Sequence, residues 1–410
     1  MMPPPPMSKL KYEVGQKEEE GPKVPQPEDK GMVAQVDEII EKALQSAATD
    51  LHIEPGPGET RVRMRVDGAL SQVATFPSQT HGKLANRFKI LGAMDITKNR
   101  IAQSGFFKVQ LEGQRAECST YVLPSILGEK ITVSIQYKRG FELNLEHLGF
   151  FPEILKGFKD ALAKPHGLVL VVGPPGSGRT TTAYAALRLL NSPQKACGTF
   201  EAVNKYELPG VVQGKPSFQG DFTFKDGVKA LMDSSPDVAY VGEMQDPEVA
   251  RLVIQGAFSK RIVIARMAAH DAANALVTLM DMGVQPFLLT AAVNAVLAQR
   301  LVRRLCDHCK EGYSPPEQVI TEIGYRMPAN AQFFRGRGCA ACGGTGYLQF
   351  LGLFELLTLN EHLNELLVGR KSQGEVREAA AQSGMVPLKR DGVNKAVMGY
   401  TSIEEVLNAL

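Results

Sequence analysis

The decapeptide "GPPGSGRTTT", residues 173–182, follows the apolar run "GLVLVV" and precedes "AYAALRLL", which has the composition of a helix. It fits the phosphate-cradling pattern G-x-x-x-x-G-K-[ST] at every position except one, where Arg179 stands in place of lysine. Gly173, Gly176 and Gly178 let consecutive backbone N–H groups turn toward an anion, and the following helix adds the positive end of its dipole. Together with Ser177, Arg179, Thr180 and Thr181 they form the expected phosphate-binding set, with ATP as the expected ligand. The Thr180 hydroxyl is the expected Mg²⁺ ligand, with Thr181 as its neighbour. A strand before such a loop and a helix after it imply an α/β fold with a mainly parallel sheet.

Arg179 keeps the charge of lysine and changes its shape. A compact ammonium fits between the β- and γ-phosphates, whereas guanidinium is planar, larger and carried on a longer arm. Phosphate binding survives such an exchange more easily than close γ-phosphate geometry does. Where catalysis is mainly positioning and electrostatics, misplacing that charge costs roughly a hundredfold or more in rate. A second acidic element, "PDVAYVGE", is an apolar strand that delivers Glu243 near its C-terminal end, where ligands of parallel sheets sit. Glu243 is the best candidate for orienting an attacking water; the alternative is a solvated strand-end glutamate.

Around this loop the 410 residues divide by pattern. Residues 1–31 combine prolines and charge with few apolar groups, the composition of a disordered tail. Residues 32–138 read as a compact α+β domain: a helix beginning near Met32, alternating "TRVRMRV", a turn at Asp67-Gly68, a helix over 80–94 and further strands. A linker is expected over 139–150. From 151 to 410, strands at 168–172, 198–201, 238–242 and 262–265 alternate with helices, and the last sixty residues look helical. "LVRRL", with Arg300, reads either as a solvated helix face or as part of a ligand set.

Lys plus Arg total 46 against 44 Asp plus Glu, so a net charge of +2 gives no broad footprint for nucleic acid. No apolar run approaches the roughly 20 residues that span a bilayer, and the expectation is a cytosolic protein. Of six cysteines, four form Cys-x-x-Cys pairs, Cys306/Cys309 and Cys339/Cys342, the pattern of a closed structural Zn²⁺ site. Free thiols are the alternative for these four. Cys118 and Cys197 read as core thiols.

The order "VRMRVDG", "GPPGSGRTTT", "TFEAVNKYELPGVVQ", "PDVAYVGEMQDPEVA", "DAANALVTLMDMGVQPFLLTAAVNAVLAQRLVRRLCDHC", "GCAACGGTGY", "LGLFELL" and "DGVNKAVMGYTSIEEVL" resembles the traffic ATPases of bacterial type II secretion and type IV pilus assembly, from about residue 33 to the end. The resemblance implies a RecA-like P-loop domain preceded by a smaller α+β domain, with a Cys₄ zinc insert at 306–342 and C-terminal helices. It implies a homo- or hetero-hexameric ring, cytoplasmic and peripheral to the inner membrane, that meets a membrane platform protein. It also implies an active-site carboxylate at Glu201, in "TFEAVNKY", beside Glu243.

Departures from the family pattern cluster on the groups that serve the γ-phosphate. Ala202 stands for an aspartate and Ala268 for the histidine of the family's histidine box, with a different histidine at His270. Phe106 and Glu117 stand where the smaller domain's arginines are expected, and Asp233 aligns with a further arginine. The expectation is a nucleotide-binding paralogue with impaired hydrolysis, acting as scaffold or regulator; the alternative is a working motor despite Arg179.

Overall fold

Alternation of buried and solvent-facing side chains builds the first of two units, Met1–Phe141 and Glu142–Leu410. The computed structural model describes residues 10–14, 30–66, 68–112, 114–137, 143–216, 222–325 and 331–410. In the first unit the elements run β1 (Lys11–Val14), α1 (Lys30–Gln45), β2 (Asp50–Pro55), β3 (Glu59–Val66), β4 (Ala69–Pro77), α2 (His81–Leu91), β5 (Gln103–Leu111), β6 (Gln114–Ser125) and β7 (Gly128–Tyr137). The strands form one antiparallel sheet in the order β1-β5-β6-β7-β2-β3-β4. In β7, Ile131, Val133 and Ile135 point into the core at the period of two that a half-buried strand requires. They meet Val36, Ile39, Ile40, Ala43 and Leu44, which line one face of α1 at helical spacing.

Two expectations about boundaries are corrected here. Within the stretch expected to be a disordered tail, Leu10 is buried and Lys11–Val14 pairs with β5, Tyr12 opposite Val109. "LKYEV" has the alternation of an edge strand, which the prolines and charges around it outweigh in any count of composition. The rest of residues 1–29 lies outside the described residues. Of the expected linker, residues 139–142 also lie outside them, whereas Leu143 and Leu145 are buried in the core of the second unit.

The second unit runs α3 (Pro152–Leu162), β8 (Gly167–Val172), α4 (Arg179–Leu190), β9 (Cys197–Phe200), β10 (Val211–Gly214), α5 (Phe224–Asp233), β11 (Val238–Val241), α6 (Pro247–Ala257), β12 (Ile262–Met267), α7 (Ala272–Asp281), α8 (Pro286–Ala292), β13 (Val293–Leu305), β14 (Lys310–Tyr313), α9 (Glu317–Ile323), β15 (Phe333–Gly336) and β16 (Tyr347–Leu357). Helices α10 (Glu361–Val368), α11 (Gln373–Gln382), α12 (Leu388–Val397) and α13 (Ile403–Ala409) complete it. The sheet order is β10-β9-β11-β12-β8-β13-β16, parallel throughout except for β16 against β13.

Strand β8 is buried at every residue, as an apolar run without alternation demands of a central parallel strand. Leu168, Leu170 and Val172 face the cluster that includes residues of α6 and α7, while Val169 and Val171 face the one that includes α3 and α4. "LVRRL" lies in β13, a strand and not a helix face. Arg300 is buried there, donating to the carbonyls of Gln299, His270 and Ala409. Among the described residues no helix is long and apolar enough to cross a membrane.

Candidate functional site

Four neighbouring strands end on the same side of the second sheet and deliver the predicted residues there. The 173–178 loop leaves β8 and enters α4 with Gly173, Gly176 and Gly178 at φ 155°, 81° and 83°, a region that side chains with a Cβ avoid. Gln299 on β13 donates to the Ser177 carbonyl and holds the loop against the sheet. Arg179 and Thr180 open α4 and are largely buried, while Thr181 faces the Tyr206 hydroxyl at 3.4 Å.

Glu201 follows β9 and Glu243 follows β11. The two strand ends are locked together, because the Gly242 N–H donates to Phe200 O at 2.9 Å. A Cβ on Gly242 would come within 2.8 Å of Glu201 Cγ, so glycine is required where this strand passes the glutamate. Glu201 is fully buried and accepts a hydrogen bond from the Tyr184 hydroxyl. Burial raises its carboxyl from 4.5 to about 7, against the opposing pull of Tyr184 and Arg266. Such a shift is common at functional sites and also occurs in plain buried networks.

Glu243 is engaged by two arginines. Arg179 Nη1 donates to its Oε1 at 3.1 Å, and Arg266 Nη2 lies 3.8 Å from its Oε2. Arg266, near the end of β12, also donates from Nε to the Gly242 carbonyl and from Nη1 to the Thr180 hydroxyl. Lys205 is a third cation within electrostatic reach: although exposed overall, its ammonium is lowered by desolvation and by repulsion from Arg266 and Arg179. A cavity of about 650 Å³ borders Gly242, Glu243 and Arg266 and extends to Thr223 and Asp246.

The expected Mg²⁺ ligand therefore does not fit that role in this arrangement. Mg²⁺ requires oxygen ligands in a tight octahedron. Here the Thr180 hydroxyl accepts from the Arg266 guanidinium, and the nearby Glu243 carboxylate faces that same arginine and Arg179. Arg266 was missed by motif reading because no pattern marks it. Its one sequence signal is a lone charge inside the apolar strand "IVIARM".

Of the other departures, Ala202 lines the cavity, and Ala268 and His270 are exposed just beyond β12. The His270 carbonyl serves Arg300 and its N–H serves Asn274, a packing role. Asp233 is exposed at the end of α5, and in the first unit Phe106 is 49% exposed on β5 while Glu117 is half-buried on β6.

The four paired cysteines meet elsewhere in the second unit. The β14–β15 hairpin brings Cys309, just before β14, to Cys339, just after β15, which explains how the long sequence gap is closed. Sγ atoms lie 3.8 Å apart for Cys306/Cys339, 3.9 Å for Cys309/Cys342 and 3.7 Å for Cys339/Cys342, and all four fall within 4.8 Å. A tetrahedron of thiolates about 2.3 Å from a zinc ion has edges of about 3.8 Å. The N–H groups of Cys339 and Gly346 donate to Cys342 Sγ, a second shell suited to a thiolate. The cluster could hold a metal ion.

A glycine-rich loop of P-loop pattern at the carboxyl edge of a RecA-like sheet, an antiparallel α+β unit earlier in the chain and a four-cysteine insert define the class of secretion-type P-loop proteins. The family model described as Type II/IV secretion system protein matches residues 26–408, and the chain belongs to that family. It is 35% identical over 394 residues to the type IV pilus assembly ATPase PilB of Thermus thermophilus, covering 96% of this chain and 44% of that protein. It is 35% identical over 382 residues to type II secretion system protein E of Pseudomonas aeruginosa, covering 93% of this chain and 76% of that protein. The fold is similar to the Legionella pneumophila ATPase DotB, with TM-score 0.65 at 16% identity over 91% of this chain and 94% of that one. The chain thus spans less than half of the Thermus relative and about three quarters of the Pseudomonas one.

Proposed function

We propose that this chain is a nucleotide-binding subunit of a hexameric ring in a type II secretion or type IV pilus machine, with impaired ATP hydrolysis. Its place is the cytoplasmic face of the inner membrane, where it meets a platform protein as scaffold or regulator. Zn²⁺ on Cys306, Cys309, Cys339 and Cys342 holds the insert. The loop amides from Gly176 to Thr180, at the positive end of α4, bind phosphate.

The observation that carries the reading is the state of Glu243. A carboxylate that orients water needs a free lone pair aimed at that water. Both Glu243 oxygens face arginines, Arg179 at 3.1 Å and Arg266 at 3.8 Å, so two cations compete with a water for those lone pairs. A second reading, a working motor, is favoured by one feature: Glu201 and Glu243 both stand at the ends of adjacent strands, in the family's places.

The test measures ATP turnover by the natural chain and by Arg179→Lys side by side. The expected outcome is turnover at background for both, with nucleotide bound by both. Turnover by the natural chain comparable to an active family member sinks the proposal. Recovery by Arg179→Lys alone would mean that the other departures are tolerated.

A further inference from the structure

We infer that Arg266 stands in for the divalent cation, so that this site takes a nucleoside polyphosphate without Mg²⁺. The inference rests on the nucleotide-binding reading above and concerns how that ligand is held.

Three anchors fix the guanidinium. Nε donates to the Gly242 carbonyl, Nη1 donates to the Thr180 hydroxyl, and Nη2 faces Glu243 Oε2 at 3.8 Å. The Thr180 hydroxyl at the start of α4 is the group that would hold a metal bound with nucleotide, and the acidic strand end at Glu243 lies beside it. In this chain a side-chain cation already bridges them. The arginine is 16% exposed, so its charge is held mostly out of water.

Charge points the same way. Arg179, Arg266 and Lys205 converge on the carboxylate of Glu243 and the buried carboxyl of Glu201. A Mg²⁺ ion beside these three cations meets repulsion and would share the Thr180 oxygen with a guanidinium. A polyphosphate arriving alone meets a cationic surplus. Guanidinium has five N–H donors in a planar fork, and Arg266 commits only part of that fork to Gly242 and Thr180. The remaining donors suit two phosphate oxygens, and Arg179 offers a second fork. Phosphate oxygens compete with Glu243 for both arginines, so ligand and glutamate trade the same donors.

The full chain is titrated calorimetrically with ADP and with ATP, once in Mg²⁺ and once in excess EDTA. The expected Kd values agree within about fivefold between the two buffers. Binding that weakens by more than about fivefold in EDTA overturns the inference and leaves the nucleotide reading standing. Binding in neither buffer overturns both. Manganese provides a readout that does not depend on affinity: electron paramagnetic resonance should show no immobilised Mn²⁺ on the natural chain with ADP, and an immobilised signal overturns the inference. Arg266→Thr opens the seat and should gain both the Mn²⁺ signal and a loss of about tenfold in affinity on adding EDTA. A variant that remains indifferent to metal overturns the assignment to Arg266. If that variant fails to fold, the paired titrations of the natural chain still decide the question.

Discussion

Glu201 shows how one buried carboxyl ties chemistry to stability. It sits at 0% exposure beneath Tyr184 and against Gly242, and burial raises it from 4.5 to about 7. Because the folded value lies above the unfolded one, its stabilising contribution is complete below about pH 4.5 and is lost as pH rises through about 7. A shift of that size is worth roughly 3 kcal/mol. Glu201→Gln keeps an acceptor for Tyr184 and removes the titration. Denaturant unfolding at several pH values should show the variant gaining on the natural chain between pH 4.5 and 7, then holding a constant lead. A lead that does not depend on pH would show that Glu201 titrates normally. Arg266 is the other residue that defines the site, and its partners explain why sequence hid it. Thr180 lies in α4 whereas Gly242 and Glu243 follow β11, and they meet Arg266 of β12 only when β8, β11 and β12 pair.

At the scale of elements, legibility followed the kind of burial. The expected strands at 168–172, 198–201, 238–242 and 262–265 fall within two residues of β8, β9, β11 and β12, because short apolar runs between turn signals mark central parallel strands. Strand β13 was not read from the sequence. "VNAVLAQRLVRRL" spaces its apolar residues in a way that suits a helix as well as a strand, and its arginines look solvated. Arg300 is satisfied by carbonyls at Gln299, His270 and Ala409, the last of them 109 residues away, which local spacing cannot show. The cysteine pairs were legible as knuckles, but the hairpin that joins them was not. If that insert is held by zinc, the natural chain purified without chelator carries stoichiometric zinc by elemental analysis. Cys309→Ser should lose the metal and cost on the order of 3 kcal/mol, a fall of roughly 10 °C in Tm. Absence of zinc from the natural chain would leave four free thiols as the explanation.

At the scale of the molecule, the two units each have a core of their own, and the 173–178 loop belongs to the second. The family resemblance places arginines for the γ-phosphate where this chain has Phe106 and Glu117, and we propose that these two positions supply no cation to that phosphate. Hydrogen exchange with and without ATP should therefore show protection around 173–182 and 242–246, and none over 102–125. Protection of β5 and β6 by ATP would restore a role for the first unit in binding. The strand β1 has a different consequence for the first unit. It is four residues long and caps the free edge of β5, and residues 15–29 join it to α1. A strand so short would bind weakly as a separate peptide; as part of the same chain it pairs with β5 without the entropic cost of bringing two molecules together. Its docking is thus a matter of belonging to the same chain and not of affinity.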